Sequence, residues 1–180
     1  MNLPNKITVF RVCMIPVFLV FMLVPGIPGG RYVAAAIFII ASASDFLDGY
    51  LARKNNLVTD FGKFMDPLAD KLLVCSALIC FVEIGSVPAW VVILIIAREF
   101  TISGFRLVAA GNHIVIAANS WGKIKTVVQM VMCVFFILDL DGTFFEVSEQ
   151  ILLYTAVLLT VISLVDYIYA NRRVITEGTK

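Results

Sequence analysis

Apolar residues in this chain come in runs and do not alternate with polar ones. The long runs are Val12 to Val24, Tyr32 to Ser44, Leu72 to Val82, Ile84 to Ala97, Thr126 to Leu138 and Ile151 to Val165. Runs of this length predict helices rather than strands. Helix breakers and polar clusters separate them: Pro25-Gly26-Ile27-Pro28-Gly29-Gly30, Lys54-Asn55-Asn56, Gly85-Ser86-Val87-Pro88, the stretch from Gly111-Asn112-His113 to about Gly122, and Asp139 to Glu149. A polar tail follows Asn171. Six helical segments result, with no internal repeat or low-complexity linker, so residues 1–180 read as a single domain. A membrane-spanning helix needs about 20 mostly apolar residues, and few of these runs reach that length without a charge. They are either buried core helices or spans whose ends carry polar residues.

Composition and charge sorting decide between the two. Of 180 residues, 61% are hydrophobic and 15% charged, where soluble domains carry about 25% charged residues; mean hydropathy is +0.97. These values exclude a soluble globular protein, a disordered chain and a nucleic-acid-binding module. A net charge of +1 gives no overall basic balance toward an acidic partner. If both termini and the even-numbered connections share one side, that side collects Lys6, Arg11, Arg53, Lys54, Lys63, Arg106, Lys123, Lys125, Arg172, Arg173 and Lys180. Lys71 and Arg98 lie deeper but nearer that face. The other side keeps Arg31 with Glu83, Asp139, Asp141, Glu146 and Glu149. Basic residues mark cytoplasmic loops. The pattern therefore predicts an all-α integral membrane protein with six transmembrane helices and both termini cytoplasmic. Each span gains length by running past its apolar stretch on the cytoplasmic side, where basic side chains snorkel. Lys6 and Arg11 precede an apolar stretch as in a signal peptide, but Pro16 lies inside it and further runs follow, so an uncleaved first span is expected.

Other residue types add little. Cys13, Cys75, Cys80 and Cys133 sit inside apolar runs without a C-x-x-C pair, and read as small hydrophobes. His113 lies in a connection and cannot build a metal site alone. Trp90 and Trp121 near span ends fit an aromatic belt.

The candidate chemistry lies at the cytoplasmic ends of the second and third segments: Asp45, Asp48, Gly49, Ala52 and Arg53, then Gly62, Asp66 and Asp70. A carboxylate within a span is expensive and marks a functional hypothesis. Asp45 and Asp48 are three apart, and Asp66 and Asp70 four apart, so each pair shares a helix face. The short connection from Lys54 to Phe61 makes the two helices antiparallel neighbours, which brings the pairs to similar depth. Four like charges repel, or protonate, unless cations sit between them. Carboxylate-only ligands suit hard divalent ions such as Mg2+ or Mn2+, and two ions about 3.5–4 Å apart clamp a phosphoryl displacement. Gly49 and Ala52 either bare a helix face for a ligand or permit close helix packing. Pro67 either kinks the third helix or marks its first turn.

Asp45-x-x-Asp48-Gly49-x-x-Ala52-Arg53, eight residues, then Gly62-x-x-x-Asp66-x-x-x-Asp70 resembles the CDP-alcohol phosphotransferase signature at every fixed position. That resemblance implies the family's six-helix membrane fold, often a homodimer. It implies that Asp45, Asp48, Asp66 and Asp70 hold two metal ions, and that Asp48, Gly49, Ala52 and Arg53 lie near the CDP moiety together with Gly62. It makes Asp70 the catalytic base for the acceptor hydroxyl. Three more segments resemble the phosphatidylglycerophosphate-forming bacterial branch: Leu3 to Arg11, Ala97 to Arg106, and Gly122-Lys123-Ile124-Lys125-Thr126. CDP-diacylglycerol, glycerol 3-phosphate and membrane lipid are then the expected partners, with no nucleic acid. The expected location is the bacterial cytoplasmic (inner) membrane, multi-pass, with the active site facing the cytoplasm.

Glycerol 3-phosphate carries a phosphate away from the reacting centre, and holding it needs cations. Arg98, Arg106, Lys123 and Lys125 lie toward the aspartates' face; arginine grips phosphate bidentately and lysine adds a point charge. Glu99 neutralises one of them on the simplest reading. Asn5, Thr8 and Arg11 either reach nucleotide or acceptor, or cap the first helix at the interface. Asp166 either pairs with a basic residue, such as an acceptor cation or Lys71, or faces a cavity. Competing readings are a family member using inositol phosphate, serine or another alcohol, a divalent-cation transporter, and a silent assembly factor.

Overall fold

In the computed structural model the backbone is described for residues 3–54, 60–111 and 120–172, and side chains for these except 3–6, 45–54, 60–67, 70, 108, 110 and 111. The described residues form six helices: α1 Leu3–Leu23, α2 Gly30–Lys54, α3 Asp60–Ile84, α4 Ala89–Gly111, α5 Ser120–Leu138 and α6 Thr143–Ala170. No strand occurs among them. Each helix is longer than its apolar run. Gly30–Ser44 is the apolar part of α2, yet the helix continues to Lys54; α3 begins at Asp60, well before Leu72. The helices therefore do run on past the apolar stretches, as the length deficit in the sequence requires. Both α5 and α6 are long and apolar enough to cross a membrane by length and composition.

Two expectations change. Most of the stretch from Asp139 to Glu149 is not a connection, because α6 starts at Thr143. Glu146 lies in its first turn, where a carboxylate complements the helix dipole, and Ser148 Oγ donates to the Phe144 carbonyl at 2.7 Å. Polar residues here start a helix without ending one. Pro67 falls inside α3, past its first turn. His113 lies outside the described residues.

The chain divides into two compact units, Met1–Val87 with Cys133–Asp141, and Pro88–Met132 with Gly142–Lys180. In the first, α1 packs against both α2 and α3. The buried stripe of α1 is Thr8, Arg11, Ile15, Phe18 and Met22, spaced at three or four residues. Ala34, Phe38 and Ala41 line the facing stripe of α2, and Ala69, Leu73, Ala77 and Phe81 that of α3. Small residues in these stripes let helix backbones approach closely. At Gly30 a Cβ would lie 3.0 Å from the Phe21 carbonyl oxygen, so any larger residue would make the backbone of the α1–α2 corner give by a few tenths of an ångström. Aromatic rings fill the remaining space: Phe18 meets Phe38 at 6.2 Å between centroids, and Phe81 meets Phe136 of α5 at 5.4 Å. Beyond α5, Asp139 adopts a left-handed φ of 45°, which aspartate tolerates better than bulky residues. Its N–H bonds the Phe135 carbonyl at 3.0 Å, and its carboxylate pairs with Arg31 at the start of α2. Arg31 and Asp139 are two of the residues that the sequence sorts to one side.

In the second unit, α4 packs on α6. Val91, Ile95, Arg98 and Ile102 form the buried side of α4; Leu153, Ala156, Thr160, Ser163 and Tyr167 form that of α6. Trp90 and Trp121 stand exposed in the first turns of α4 and α5.

Phe81 is fully buried, and Phe-to-Ala changes in such cores cost about 3–5 kcal/mol. Phe81→Ala should therefore lower the thermal unfolding midpoint of the detergent-solubilised protein. Arg31→Ala, at an exposed ion pair, should cost no more than about 1 kcal/mol and leave the midpoint almost unmoved.

Candidate active site

Helix lengths fix where the aspartates lie. At about 1.5 Å per residue, the 25 residues of α2 span about 37 Å. Lys54 and Asp60 end and start consecutive helices, and a chain of six residues reaches at most about 21 Å. So α3 must start at the end of the first unit where α2 finishes. Asp45 and Asp48 occupy the last turns of α2, and Asp66 and Asp70 the early turns of α3. The two helices are in contact. Gly49, Ala52 and Arg53 follow on α2, and Gly62 precedes on α3. Side chains at all eight signature positions, and at Asn5, lie outside the described residues. At the level of the backbone, one end of a two-helix contact holds both aspartate pairs.

The α1–α2 turn brings the start of α1 to this same end. Thr8 and Arg11 there are 0% and 1% exposed. They lie in the stripe that faces α2 and α3, so neither is an interfacial cap. Sequence reasoning left Arg11 open because an arginine near a helix start is usually a surface feature.

By residue type, four aspartates on neighbouring helix ends offer carboxylate oxygens alone, the chemistry that suits hard divalent cations. Among the described residues, no group of three or more His, Cys, Asp or Glu side chains offers an alternative metal site.

The second unit holds the four cations expected to meet a phosphate, and it sorts them into two kinds. Arg98 and Lys125 are 8% and 1% exposed. Arg98 Nη1 donates to Glu99 Oε1 at 2.8 Å, and Lys125 Nζ donates to the same oxygen. Glu99 therefore pairs with two of the cations, where the sequence suggested one. Arg98 Nε also donates to Ser163 Oγ at 3.1 Å. That hydroxyl accepts from Arg98 because it spends its own proton on the Thr160 carbonyl, 3.0 Å away. One carboxylate between two cations leaves the trio at +1, in surroundings where unpaired charge is costly. Arg106 and Lys123 are exposed. The Arg106 guanidinium lies 6.0 Å from the centroid of the Tyr167 ring, at the outer limit of a cation–π contact.

Sequence reasoning missed Thr160 and Ser163 and gave Tyr167, late in the sixth segment, no role. Spacings of three and four place these residues on one face of the helix, and this was the available signal. Gln129, one turn after Lys125 on α5, is also buried. Among the described residues, Gln129 Oε1 and the Tyr167 hydroxyl are buried without a hydrogen-bond partner.

The model of the CDP-alcohol phosphatidyltransferase family matches residues 1–162. The chain belongs to this family. The match takes in both signature helices and all four cations. Family members are generally dependent on divalent metal, in keeping with the donor set. The chain is 48% identical to a CDP-diacylglycerol–glycerol-3-phosphate 3-phosphatidyltransferase of Bacillus subtilis, over 94% of its own length and 95% of the relative's. It is 37% identical to a protein of the same name from Rickettsia bellii, over 96% of each. A Mycobacterium tuberculosis protein named "Probable phosphatidylglycerophosphate synthase" is 43% identical over 93% of this chain and 80% of its own.

Glu99 is the one carboxylate bonded to both buried cations among the interactions above. Breaking a buried ion pair from one side costs about 3–5 kcal/mol. Glu99→Gln should therefore lower thermal stability in detergent by about this amount, whereas Lys123→Gln, at an exposed site, should leave stability within about 0.5 kcal/mol of the parent.

Proposed function

We propose that this chain transfers the phosphatidyl group of CDP-diacylglycerol to sn-glycerol 3-phosphate, giving phosphatidylglycerophosphate and CMP. The observation that carries this reading is the complete eight-position signature on two adjoining helix ends. Its setting supports it: a chain alike over nearly its whole length to relatives named for this reaction. The protein works as a six-span enzyme of the bacterial cytoplasmic membrane, one catalytic domain over 1–180, both termini and the active site cytoplasmic, and paired as a homodimer. The acyl tails of CDP-diacylglycerol stay in lipid while the nucleotide is held at the membrane face.

Asp45, Asp48, Asp66 and Asp70 are the residues that would hold two Mg2+ or Mn2+ ions. When bound, such ions supply positive charge against the diphosphate and the departing CMP. The remaining steps belong to the chain's own side chains. Asn5, Thr8, Asp48, Gly49, Ala52, Arg53 and Gly62 orient the nucleotide, and the glycine and alanine positions admit it close to the backbone. Arg98, Arg106, Lys123 and Lys125 supply charge for the acceptor's phosphate. Arg106 and Lys123, being exposed, are suited to direct contact. Arg98 and Lys125 are bound to Glu99 and suited to holding the surrounding helices and field. Asp70 takes the proton of the sn-1 hydroxyl. That oxygen bonds to the phosphorus next to diacylglycerol, the bond from that phosphorus to CMP breaks, and CMP leaves with the electron pair. Positioning the two reactants accounts for much of the rate.

Purified protein with CDP-diacylglycerol and Mg2+ should release CMP only when glycerol 3-phosphate is added. Release that ignores glycerol 3-phosphate, or that inositol phosphate or serine supports better, would reject this acceptor. Asp66→Asn and Asp70→Asn should each abolish turnover in protein that remains folded in detergent; activity surviving in both would reject the metal-site assignment.

A further inference from the structure

Hydroxyls on the helices of this protein have a regular use. On α2, Ser44 Oγ donates to the Ala41 carbonyl at 2.7 Å. Ser76, Ser103, Thr126, Ser148 and Thr160 each donate to the carbonyl four residues back. Such back-bonding satisfies the proton of a hydroxyl within an apolar helix. Ser42 departs from the pattern: its oxygen is buried, and among the described residues it has no hydrogen-bond partner. A buried hydroxyl left unmade is costly and calls for an explanation. Packing does not supply one. Alanine already fills this side of α2 at Ala34 and Ala41, and would do so at position 42 without the penalty.

Position along the helix supplies an explanation. The backbone of α2 is helical from Gly30 to Lys54. Ser42, Asp45, Gly49 and Ala52 follow one another at spacings of three, four and three, so they share one face. Ser42 is the innermost of them, one turn before Asp45. Ser44, next to Asp45 in sequence, lies off that face and has spent its proton on Ala41. A carboxylate that holds a metal is itself hydrogen-bonded, and losing such an outer partner weakens metal binding by about 10–100-fold. An ionised carboxylate is also a stronger acceptor than a carbonyl. The Ser42 proton, not spent on the carbonyl one turn back, remains available one turn on. We propose that the Ser42 hydroxyl is a positioning group that donates to the Asp45 carboxylate when divalent metal binds, and so fixes that carboxylate as a ligand; this rests on the four-aspartate metal reading above and adds a residue behind it.

Ser42→Ala removes the hydroxyl, and Ser42→Thr keeps one. Mn2+ alone is the probe, with the free ion followed by electron paramagnetic resonance over the full chain in detergent. Ser42→Ala should raise the dissociation constant for Mn2+ about tenfold or more, and Ser42→Thr should restore it. At a fixed Mn2+ concentration the rise in thermal midpoint should be smaller in Ser42→Ala, because stabilisation by a ligand follows its affinity. The metal-free midpoint should not fall, because the lost group had no partner. At saturating Mg2+, kcat should hold. An unchanged Mn2+ constant, a weakening that Ser42→Thr shares, a loss of kcat that saturating Mg2+ does not recover, or a fall in the metal-free midpoint would each overturn the role of Ser42. Parent protein that binds Mn2+ no more tightly than Asp66→Asn or Asp70→Asn would instead overturn the four-aspartate reading, and the role of Ser42 with it. The two failures are therefore distinguishable in one titration series.

Discussion

Taking an ionised side chain out of water costs several kcal/mol unless opposite charge or hydrogen bonds replace its hydration. In a chain with only 15% charged residues, that cost orders the rest of the structure. Most of the apolar helix surface is free of charge, and the exceptions are concentrated. Arg98, Glu99 and Lys125 share bonds across α4 and α5, with Ser163 of α6 completing the coordination of Arg98. Four aspartates collect at adjoining ends of α2 and α3. Among the described residues, the buried Arg98 and Lys125 both bond Glu99.

The same constraint explains the helix lengths. The apolar runs are shorter than the helices that contain them. Polar residues extend α2 to Lys54 and begin α3 at Asp60, so the site lies on continuous helix, not on a loop. Rigid elements hold catalytic groups more accurately than loops do, and phosphoryl transfer depends chiefly on placement and field. Small residues on the packed stripes serve this arrangement from a distance, since Ala34, Ala41, Ala69 and Ala77 are all buried between α1, α2 and α3.

Much of the fold was legible in the sequence because hydrophobic runs and helix breakers are local signals. The α1–α2 turn at Pro25 to Gly29 and the end of α3 at Gly85 follow directly from residue type. The start of α6 did not, because Asp141, Thr143, Glu146 and Ser148 look like a loop until their helix-start roles are seen. The aspartate pattern stood out for a different reason. Its spacing is periodic within two neighbouring helices, and both helices fall within residues 1–162, which the family model matches.

What the sequence by itself determined is which residues are apolar, where helices break, and which carboxylates recur at helical spacing. Those properties depend on neighbours within one or two turns. Only the tertiary structure decided which charges are matched to which. Glu99 lies 26 residues before Lys125, and Arg98 meets a serine 65 residues away. It also decided that Thr8 and Arg11 face inward, and that Tyr167 is buried beside Arg106 with its hydroxyl unanswered. Burial and pairing arise between helices distant in sequence, and no local periodicity encodes which face of one will meet which face of another.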